Sequence, residues 1–409
     1  MTDVPAVPAT GSVRLGDRAA RTLVDELARH AGPKTGLLIG PAVDSPVLQA
    51  AVEALLPGDS LTVVAAGGDA VELRSHVAAI GGWVADRVRV VESISEADPA
   101  DVVLLGEPVT GSDEEVRAAL DGFGKYLLEG GVLVVAAPVY ARSTAELERQ
   151  AILFGVGSDL VLLNRPPVRV HRLRYMAANP AVAERLAPAY RPSSVPLTRG
   201  MHIDSNGVAA AGLALGLAAL VRSRRPGSRW WLLPALAAPA VAAFFRDPER
   251  VVPEHESAVV AASDGKVLAV ERIRDERFGD DEFLRVAVFL SVLDVHVNRA
   301  PVAGRVVDYF VTDGGFAAAM KPAAEHNVAA YTVLDTTAGR VVVAQRTGLI
   351  ARRIVHRAPV GALLAKGERF GLIRFGSRTD VYLPATAARA AVAPGDRVVG
   401  GASVIAHWL

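Results

Sequence analysis

The stretch GERFGLIRFGSRTDVYLP (residues 367–384) contains two short β-prone runs, and Gly376 and Ser377 stand at the start of the second. Similar runs bounded by Gly, Asp and Pro precede it: SAVVAASDGKVLAVERI (257–273), FLRVAVFLS (283–291) and AAYTVLDTTAGRVVVAQRTG (329–348). Many short strands separated by turn residues are typical of antiparallel sandwiches and barrels. We therefore predict an antiparallel β barrel or sandwich domain over residues 246–409, with a flexible glycine and a hydroxyl placed unusually at the start of an ordered strand.

The N-terminal part of the chain has a different pattern, in which apolar runs alternate with helical stretches. The apolar runs are TGLLIG (35–40), SLTVVAA (60–66), RVRVVE (87–92), ADVVLLG (100–106) and GVLVVAA (131–137). Continuous apolar strands between helices are typical of a parallel sheet that is covered on both faces. We predict a Rossmann-like domain over residues 15–180, whose sheet is closed by a hairpin within 158–177. Residues 1–14 are predicted to be a flexible tail and residues 181–206 a linker.

The first predicted strand and its turn, LLIGPAVDSP (37–46), resemble the start of the class I methyltransferase sheet. A cofactor-binding turn at this place is usually glycine-rich, so that the backbone can approach the ligand. Here Gly40 is followed by Pro41 and by no further glycine. We therefore expect a degenerate methyltransferase-like domain, and we keep an active S-adenosylmethionine-dependent methyltransferase as the alternative.

Two uncharged segments lie in the middle of the chain. They are GVAAAGLALGLAALV (207–221) and WWLLPALAAPAVAAFF (230–245), and the RSRRPGSR that joins them carries four arginines. A membrane-spanning helix needs about 20 apolar residues, so each segment is short, and Pro234 and Pro239 are expected to interrupt the second. Tryptophan and arginine side chains are both tolerated among lipid headgroups. We predict a membrane-associated helical hairpin over 207–245, peripheral or shallowly inserted; the alternative is a buried hairpin of a soluble protein.

The composition excludes several classes of function. Lys+Arg and Asp+Glu are equal at 44 each, so no overall charge attracts nucleic acid. The chain has no cysteine, which excludes disulfides, thiolate nucleophiles and Cys-ligated zinc. Its nine histidines form no HxH or HExxH pattern, so we predict neither a metal site nor a nucleic-acid partner.

Four fragments in the C-terminal part, taken in order, carry a more specific signal. They are FFRDPER (244–250), SDGKV (263–267), DVHVNRAPVAG (294–304) and GERFGLIRFGSRTDVYLP (367–384). Together they resemble the short, archaeal-type branch of the phosphatidylserine decarboxylases, over roughly residues 240–409. The resemblance implies a proenzyme that cuts its own chain between Gly376 and Ser377.

The resemblance also implies the residues that carry out this cleavage. Ser377 would be the nucleophile, His296 the general base and later the general acid, and Asp264 the residue that orients His296, as in a serine-protease triad. Gly376 suits the cleavage site because glycine tolerates strained backbone and close approach. Ser377 would become a pyruvoyl group, the cofactor of the enzyme, and the products would be a heterodimer of fragments 1–376 and 377–409.

The implied reaction converts phosphatidylserine to phosphatidylethanolamine and CO2 through a Schiff base on the pyruvoyl group. Longer bacterial relatives carry two histidines three residues apart, whereas Arg299 stands three residues after His296 here. One histidine would then serve both reactions, with His326 as a candidate helper. Arg352 and Arg353 are candidates for binding the lipid phosphate.

The lipid substrate and the apolar hairpin together predict a location at the cytoplasmic face of the cell membrane. A function of a different class stays open: a membrane-bound scaffold that has the same fold and never matures. A third possibility is a decarboxylase fused to an active methyltransferase. The sequence alone does not decide between them.

Overall fold

The computed structural model describes residues 13–409 except 31, 67–68, 142–143, 190–193, 199, 350–352 and 375–376. The chain forms two compact units. The first comprises residues 1–192 with 361–363, and the second comprises residues 193–360 with 364–409. The predicted sites Gly376 and Arg352, and most of the predicted tail, lie outside the described residues.

The first unit contains six helices and seven strands among its described residues. The helices are α1 (Asp17–Ala28), α2 (Pro46–Glu53), α3 (Ala70–Ile80), α4 (Gly82–Ala85), α5 (Asp113–Gly124) and α6 (Thr144–Phe154). The strands are β1 (Thr35–Ile39), β2 (Ser60–Val64), β3 (Val88–Val91), β4 (Ala100–Leu105), β5 (Leu127–Pro138), β6 (Gly155–Val161) and β7 (Val168–Leu173). They alternate as the sequence predicts.

The seven strands form one sheet in the order β3-β2-β1-β4-β5-β7-β6. The first five strands are parallel, and β7 and β6 close the sheet as an antiparallel hairpin. Successive residues of a strand point to opposite faces: Val102 and Leu104 of β4 enter one buried cluster, and Val103 and Leu105 enter another. Both faces are therefore covered, which explains the continuous apolar runs and supports the Rossmann-like description.

The second unit begins with strands β8 (Val195–Thr198) and β9 (Met201–Ile203). They lie within residues 181–206, the segment that the sequence predicted to be a linker, and the 3-10 helix Pro180–Arg185 of the first unit overlaps the start of that segment. Strand β9 pairs with β8 and with β10 (Arg246–Pro248), the segment that follows the two apolar helices. The composition rich in Pro and Ser hid these short strands, and β9 is completed by a partner that is distant in sequence, β10.

The two apolar segments form helices α7 (Ser205–Arg224) and α8 (Leu232–Phe244), which pack against each other. Asp204 caps the start of α7 by accepting a hydrogen bond from the Asn206 amide. The predicted interruption at Pro239 does not occur, since α8 continues through this residue. Among the described residues α7 is long and apolar enough to cross a membrane, but length and composition alone do not show insertion.

The rest of the second unit is built almost entirely from strands, which agrees with the predicted β domain. They are β11 (Ala258–Val260), β12 (Gly265–Arg274), β13 (Glu282–Leu290), β14 (Val297–Arg299), β15 (Gly304–Thr312), β16 (Ala329–Thr336), β17 (Gly339–Arg346), β18 (Ile354–His356), β19 (Leu363–Leu364), β20 (Arg369–Ile373), β21 (Ser377–Pro384), β22 (Ala388–Ala390), β23 (Arg397–Val398) and β24 (Val404–Trp408).

The largest sheet of this unit has eight strands in the order β19-β15-β16-β17-β21-β13-β12-β23. Two three-stranded sheets accompany it, β14-β20-β18 and β11-β24-β22. Strand β21, which carries the Ser377 motif, lies centrally between β17 and β13, and every residue from Ser377 to Leu383 is buried. The Ser377 motif therefore lies on a core strand, both faces of which are covered.

One face of β21 carries a buried network of ions. The Asp380 carboxylate accepts hydrogen bonds from Arg346 Nε at 2.7 Å and from Arg378 Nε at 2.6 Å. Arg378 also donates to Glu325 at 2.8 Å, and Arg285 donates to Glu325 at 2.9 Å. Burial alone would raise the pKa of Glu325, but its hydrogen bonds and the charges of Arg285 and Arg378 hold that pKa at about 2. The network is paired throughout, so removing one member leaves a buried charge uncompensated.

We expect Asp380→Asn to reduce the free energy of unfolding of the second unit by about 3–5 kcal/mol, the typical cost of breaking a buried ion pair from one side. The matched control is Asp335→Asn, whose pair with Arg305 is half-exposed and should cost about 1 kcal/mol or less. Hydrogen exchange of peptides from β13, β17 and β21 measures the change in the free energy of unfolding for both variants. An equal loss of unfolding free energy in the two variants would show that the ion network on β21 stabilises the second unit no more than a half-exposed ion pair does.

Candidate functional site

Ser377 is the first residue of β21 and lies opposite Leu290 of β13. By strand alternation Ser377, Thr379 and Val381 share one face, and the ion network occupies the other. Ser377 is fully buried, and its Oγ has no hydrogen-bond partner among the described residues. A buried hydroxyl without a partner costs free energy. This cost suggests that the Oγ is held for reaction rather than for stability.

His296 lies directly before β14 and is held next to the chain that leads into Ser377. Its carbonyl accepts a hydrogen bond from the amide of Ile373, at the end of β20, at 3.2 Å. Its Nδ1 lies 2.9 Å from the carbonyl oxygen of Asp294. Because a carbonyl only accepts, Nδ1 must carry the proton in this bond. The lone pair of the neutral ring is then on Nε2, which is the arrangement of a general base.

Burial lowers the pKa of His296 to about 4, and the hydrogen bond and charge of Asp294 oppose this shift only in part. The ring of Phe244, the last residue of α8, packs against the imidazole with a centroid separation of 4.3 Å. His296 is therefore neutral at pH 7 and shielded on this side by the end of the apolar hairpin. Neutrality suits a proton acceptor.

Asp264 is not paired with His296 in this structure. Its Oδ2 forms a salt bridge with Arg250 at 2.8 Å, and its Oδ1 accepts the amide proton of Gly400 at 2.8 Å. Burial raises the pKa of Asp264, and these two partners oppose the rise. The position that the sequence assigned to Asp264, at Nδ1 of His296, is taken by the Asp294 carbonyl. Sequence spacing could not reveal this, because a backbone carbonyl is available at every residue.

The segment around Asp264 nevertheless reaches the face of Ser377. The hydroxyls of Ser263 and Thr379 lie 2.6 Å apart, and both residues are fully buried. Gly265 has φ +152°, and a Cβ there would lie 2.1 Å from the Phe289 carbonyl oxygen. Glycine is thus required for β12 to begin so close to β13. In the SDG motif (263–265), this close approach explains Gly265. The bonds to Arg250 and Gly400 explain the carboxylate of Asp264.

Arg299, three residues after His296, is held by the structure around it. Its guanidinium donates to Asp247 at 3.0 Å and to the Pro248 carbonyl at 2.8 Å, and the side chains of Arg299 and Asp247 are buried. Arg369 forms a second salt bridge with Asp247. Arg299 therefore connects β14 to β10, and its charge is already compensated.

Two buried amides near Ser377 were missed by the sequence analysis. Asn298 and Gln345 are both fully buried, and Gln345 Nε2 donates to Asn298 Oδ1 at 2.7 Å. Gln345 lies directly opposite Thr379 in the β17–β21 register, so it points to the face of Ser377. A signal was present: in RVVVAQ the glutamine falls at the same alternation as Val341 and Val343, a position that should be apolar.

Basic residues gather where β20 ends and α7 begins. Arg374 donates to Asn206 at 2.7 Å and lies over the Phe245 ring at 6.0 Å, and its Nε has no partner among the described residues. Burial and then the nearby charge of Arg353 lower the pKa of Arg374. The carboxylate of Asp204 is bound at both oxygens by Arg357. Positive charge therefore exceeds negative charge here.

The remaining predicted positions are less informative. His326 is exposed at the end of the 3-10 helix Pro322–His326, and no contact of its side chain with Ser377 or His296 occurs in the part of the chain that the structure describes. Arg353 is exposed, four residues before Arg357. Within the described ranges no group of three or more His, Asp or Glu side chains could hold a metal ion.

The edge of the first unit that would bind S-adenosylmethionine does not suit this cofactor. Ligands of open α/β sheets bind where the strand order reverses, which here is between the carboxyl ends of β1 and β4. At that point Pro41 packs on Gly106 so tightly that a Cβ on Gly106 would lie 2.7 Å from Pro41 Cα. The Glu107 carboxylate accepts a hydrogen bond from the Ala42 amide at 3.4 Å. Among the described residues, the turn after β1 is closed by its own packing and shows no glycine-lined cradle.

Comparison with known proteins identifies the second unit. A phosphatidylserine decarboxylase proenzyme of Symbiobacterium thermophilum is 50% identical over 164 residues, which are 40% of this chain and 76% of that protein. This chain belongs to the phosphatidylserine decarboxylase family. The family profile matches residues 238–406. The proenzyme of Geobacter sulfurreducens is 47% identical over 167 residues, which are 40% of this chain and 76% of that protein.

The family resemblance drawn from the four fragments is therefore confirmed, and with it membership of a carboxy-lyase family. Among solved structures, the mitomycin 7-O-methyltransferase MmcR is 21% identical with a TM-score of 0.30, over 38% of this chain and 53% of that chain. TrmN from Thermus thermophilus is 17% identical with a TM-score of 0.32, over 39% and 49% of the two chains. TM-scores this low support no statement about function. The Rossmann-like fold of the first unit is instead evident from the order of its own strands.

We expect Phe244→Ala to raise the pKa of His296 from about 4 toward the ordinary value of about 6.5, because the ring that excludes water from the imidazole is lost. Nitrogen-15 NMR of labelled histidines in the Ser377→Ala chain measures both the pKa and the tautomer, and His296→Gln assigns the signal. Phe316→Ala, at a half-exposed position, should leave the signal unchanged. An unchanged pKa of His296 in Phe244→Ala would show that the hairpin does not control it.

Proposed function

We propose that this chain is a self-cleaving, pyruvoyl-dependent decarboxylase that converts phosphatidylserine to phosphatidylethanolamine and CO2. The observation that carries the proposal is the Oγ of Ser377, which is buried and unpartnered at the start of a core strand. It lies in the Gly-Ser motif of a chain that belongs to the phosphatidylserine decarboxylase family. A hydroxyl in this state gains little from its surroundings and is available to react with its own backbone.

In the proposed maturation, the Ser377 Oγ attacks the carbonyl carbon of Gly376 and gives its proton to His296. The C–N bond between the two residues breaks, the Ser377 nitrogen takes up a proton, and an ester joins Gly376 to the Ser377 oxygen. Loss of the Ser377 α-proton then expels the Gly376 carboxylate. Water hydrolyses the resulting enamine, through its imine, to a ketone and ammonia. The products are fragments 1–376 and 377–409, which stay associated as a heterodimer.

The neutral ring of His296 is the proposed base for the first proton transfer. Its Nδ1–H is held by the Asp294 carbonyl, so Nε2 is the atom that accepts. We propose that the Asp294 carbonyl fixes the tautomer of His296. For Asp264 we propose a positioning role, in which its bonds to Arg250 and Gly400 hold Ser263 against Thr379 beside the nucleophile.

For the decarboxylation, the pyruvoyl group derived from Ser377 supplies an electron sink for an amine substrate. The residues of this chain bind the lipid and move protons. A proton on Nε2 of His296 is released readily because burial disfavours the charged ring, so His296 is the proposed acid that protonates the substrate carbon after CO2 leaves. We propose that Arg374 and Arg353 bind the lipid phosphodiester. Arg352 stays a prediction of the same kind, and His326 stays a predicted helper of His296.

We also propose that α7 and α8 dock on the cytoplasmic surface of the cell membrane. Their leucines Leu213, Leu217, Leu233 and Leu236 are exposed although both helices are apolar. Arg222 lies over the Trp231 ring at 4.8 Å, beside the exposed Trp230. An arginine and tryptophans at one end of an apolar hairpin suit the headgroup region. The same hairpin ends at Phe244 against His296, which supports delivery of a lipid headgroup to the site.

The maturation is tested by intact-mass analysis of the purified chain. We expect the wild-type protein to yield a 33-residue C-terminal fragment from position 377, with a blocked end that borohydride reduces, and to release CO2 from phosphatidylserine. Ser377→Ala should stay at full length. A full-length, inactive wild-type chain would favour the non-maturing scaffold instead.

The membrane surface is tested by flotation with anionic vesicles. We expect the double variant Leu213→Glu/Leu236→Glu to lose about 10-fold or more of its vesicle binding, since a charge in an apolar lipid environment costs up to about 3 kcal/mol. The control is Leu349→Glu, at an exposed leucine of the second unit outside the hairpin. Equal loss in the control, or none in the double variant, would argue against docking by the hairpin.

A further inference from the structure

Asn298 and Gln345 form a buried pair that leaves two polar atoms unsatisfied. Gln345 Nε2 donates to Asn298 Oδ1 at 2.7 Å. Asn298 Nδ2 and Gln345 Oε1 are buried and have no partner among the described residues. Reorienting both amides together exchanges the roles of the two residues but not the result. In either arrangement the pair offers one unpartnered amide NH2 group as donor and one unpartnered carbonyl oxygen as acceptor.

The location of the pair connects it to the reaction. Asn298 lies in β14, two residues after His296. Gln345 is directly opposite Thr379 and diagonal to Ser377 in the β17–β21 register, a separation of about 7–8 Å that a long side chain can bridge. Gln345 also reaches across to β20, where a Cβ on Gly371 would lie 3.1 Å from its Nε2. The free atoms therefore belong to the buried face that carries Ser377.

This arrangement is costly unless a ligand completes it. A buried donor or acceptor without a partner destabilises a protein by about 1–3 kcal/mol. The neighbouring polar side chains are already used, since Ser263 and Thr379 bind each other. A ligand that completes the pair must bring one acceptor and one donor close together. The α-carboxylate and α-ammonium of an amino acid have this composition.

We propose that the Asn298–Gln345 pair is the recognition site for the α-amino acid group of the substrate, with the free N–H donating to the carboxylate and the free carbonyl accepting from the amine. The proposal rests on the proposed decarboxylase function and specifies its selectivity. It explains why two fully buried amides lie on the face that carries Ser377. It also places the carboxylate that leaves as CO2 beside Ser377, the residue that forms the ketone.

The test uses Asn298→Leu/Gln345→Met, which replaces both amides by apolar side chains of similar size. Replacing both partners of a hydrogen bond in this way can leave stability almost unchanged. Borohydride reduction of the mature protein removes the ketone, so that binding is measured without reaction. Calorimetry with sn-glycero-3-phosphoserine then reports headgroup recognition, and sn-glycerol 3-phosphate, which lacks the amino acid, reports the phosphate contribution.

We expect the double variant to bind glycerophosphoserine at least about 10-fold more weakly than the wild type, as loss of a hydrogen bond to a charged group predicts, with glycerol 3-phosphate affinity unchanged. The control Thr336→Val removes a buried hydroxyl that bonds within the β16–β17 turn and should change neither affinity. If the double variant does not cleave, the single variants Asn298→Leu and Gln345→Met take its place.

Several outcomes would overturn the inference. One is a glycerophosphoserine affinity within twofold of the wild type, and another is an equal loss for both ligands. Failure of all three variants to cleave would place the pair in maturation instead of recognition. These outcomes differ from failure of the proposed function itself, in which the wild-type chain neither cleaves nor decarboxylates phosphatidylserine.

Discussion

The ion network on one face of β21 is the constraint on which the site depends. Asp380 binds both Arg346 and Arg378, and all three side chains lie in the interior of the second unit. These charges are stable there only if the strand keeps one register, because a slip of one residue would turn them toward the opposite face. The same register fixes Ser377, Thr379 and Val381 on that opposite face. The reactive hydroxyl is thus positioned by charges that take no part in its chemistry.

The sequence predicted those features that depend on periodicity and on recognisable motifs. The parallel sheet, its closing hairpin, the antiparallel domain and the Ser377 motif all follow from local patterns in the chain. The sequence did not predict the environment of Asp264 or of His296, because the decisive partners are the Asp294 carbonyl and Arg250, which no pattern marks. It also missed Asn298 and Gln345, although a polar residue at an apolar alternation was a readable signal. Pro239 was misjudged, since α8 continues through this exposed residue to Phe244.

The end of the apolar hairpin contacts two residues of the proposed catalytic site. Phe244 packs on His296, and the next residue, Phe245, lies under Arg374. The α8 helix therefore ends in two rings that contact a proposed base and a proposed phosphate ligand. A lipid whose acyl chains lie along the hairpin would present its headgroup at this end without leaving the interface. This arrangement needs no separate channel for the substrate.

A single histidine is sufficient for two reactions if its charge state follows its environment. Desolvation keeps His296 neutral, which suits acceptance of a proton from Ser377, and makes any proton it acquires easy to donate to substrate carbon. Arg299, three residues after His296, joins β14 to β10 through Asp247, and β10 directly follows the apolar hairpin. This buried ion pair is a fixed link between the end of the hairpin and the strand next to His296.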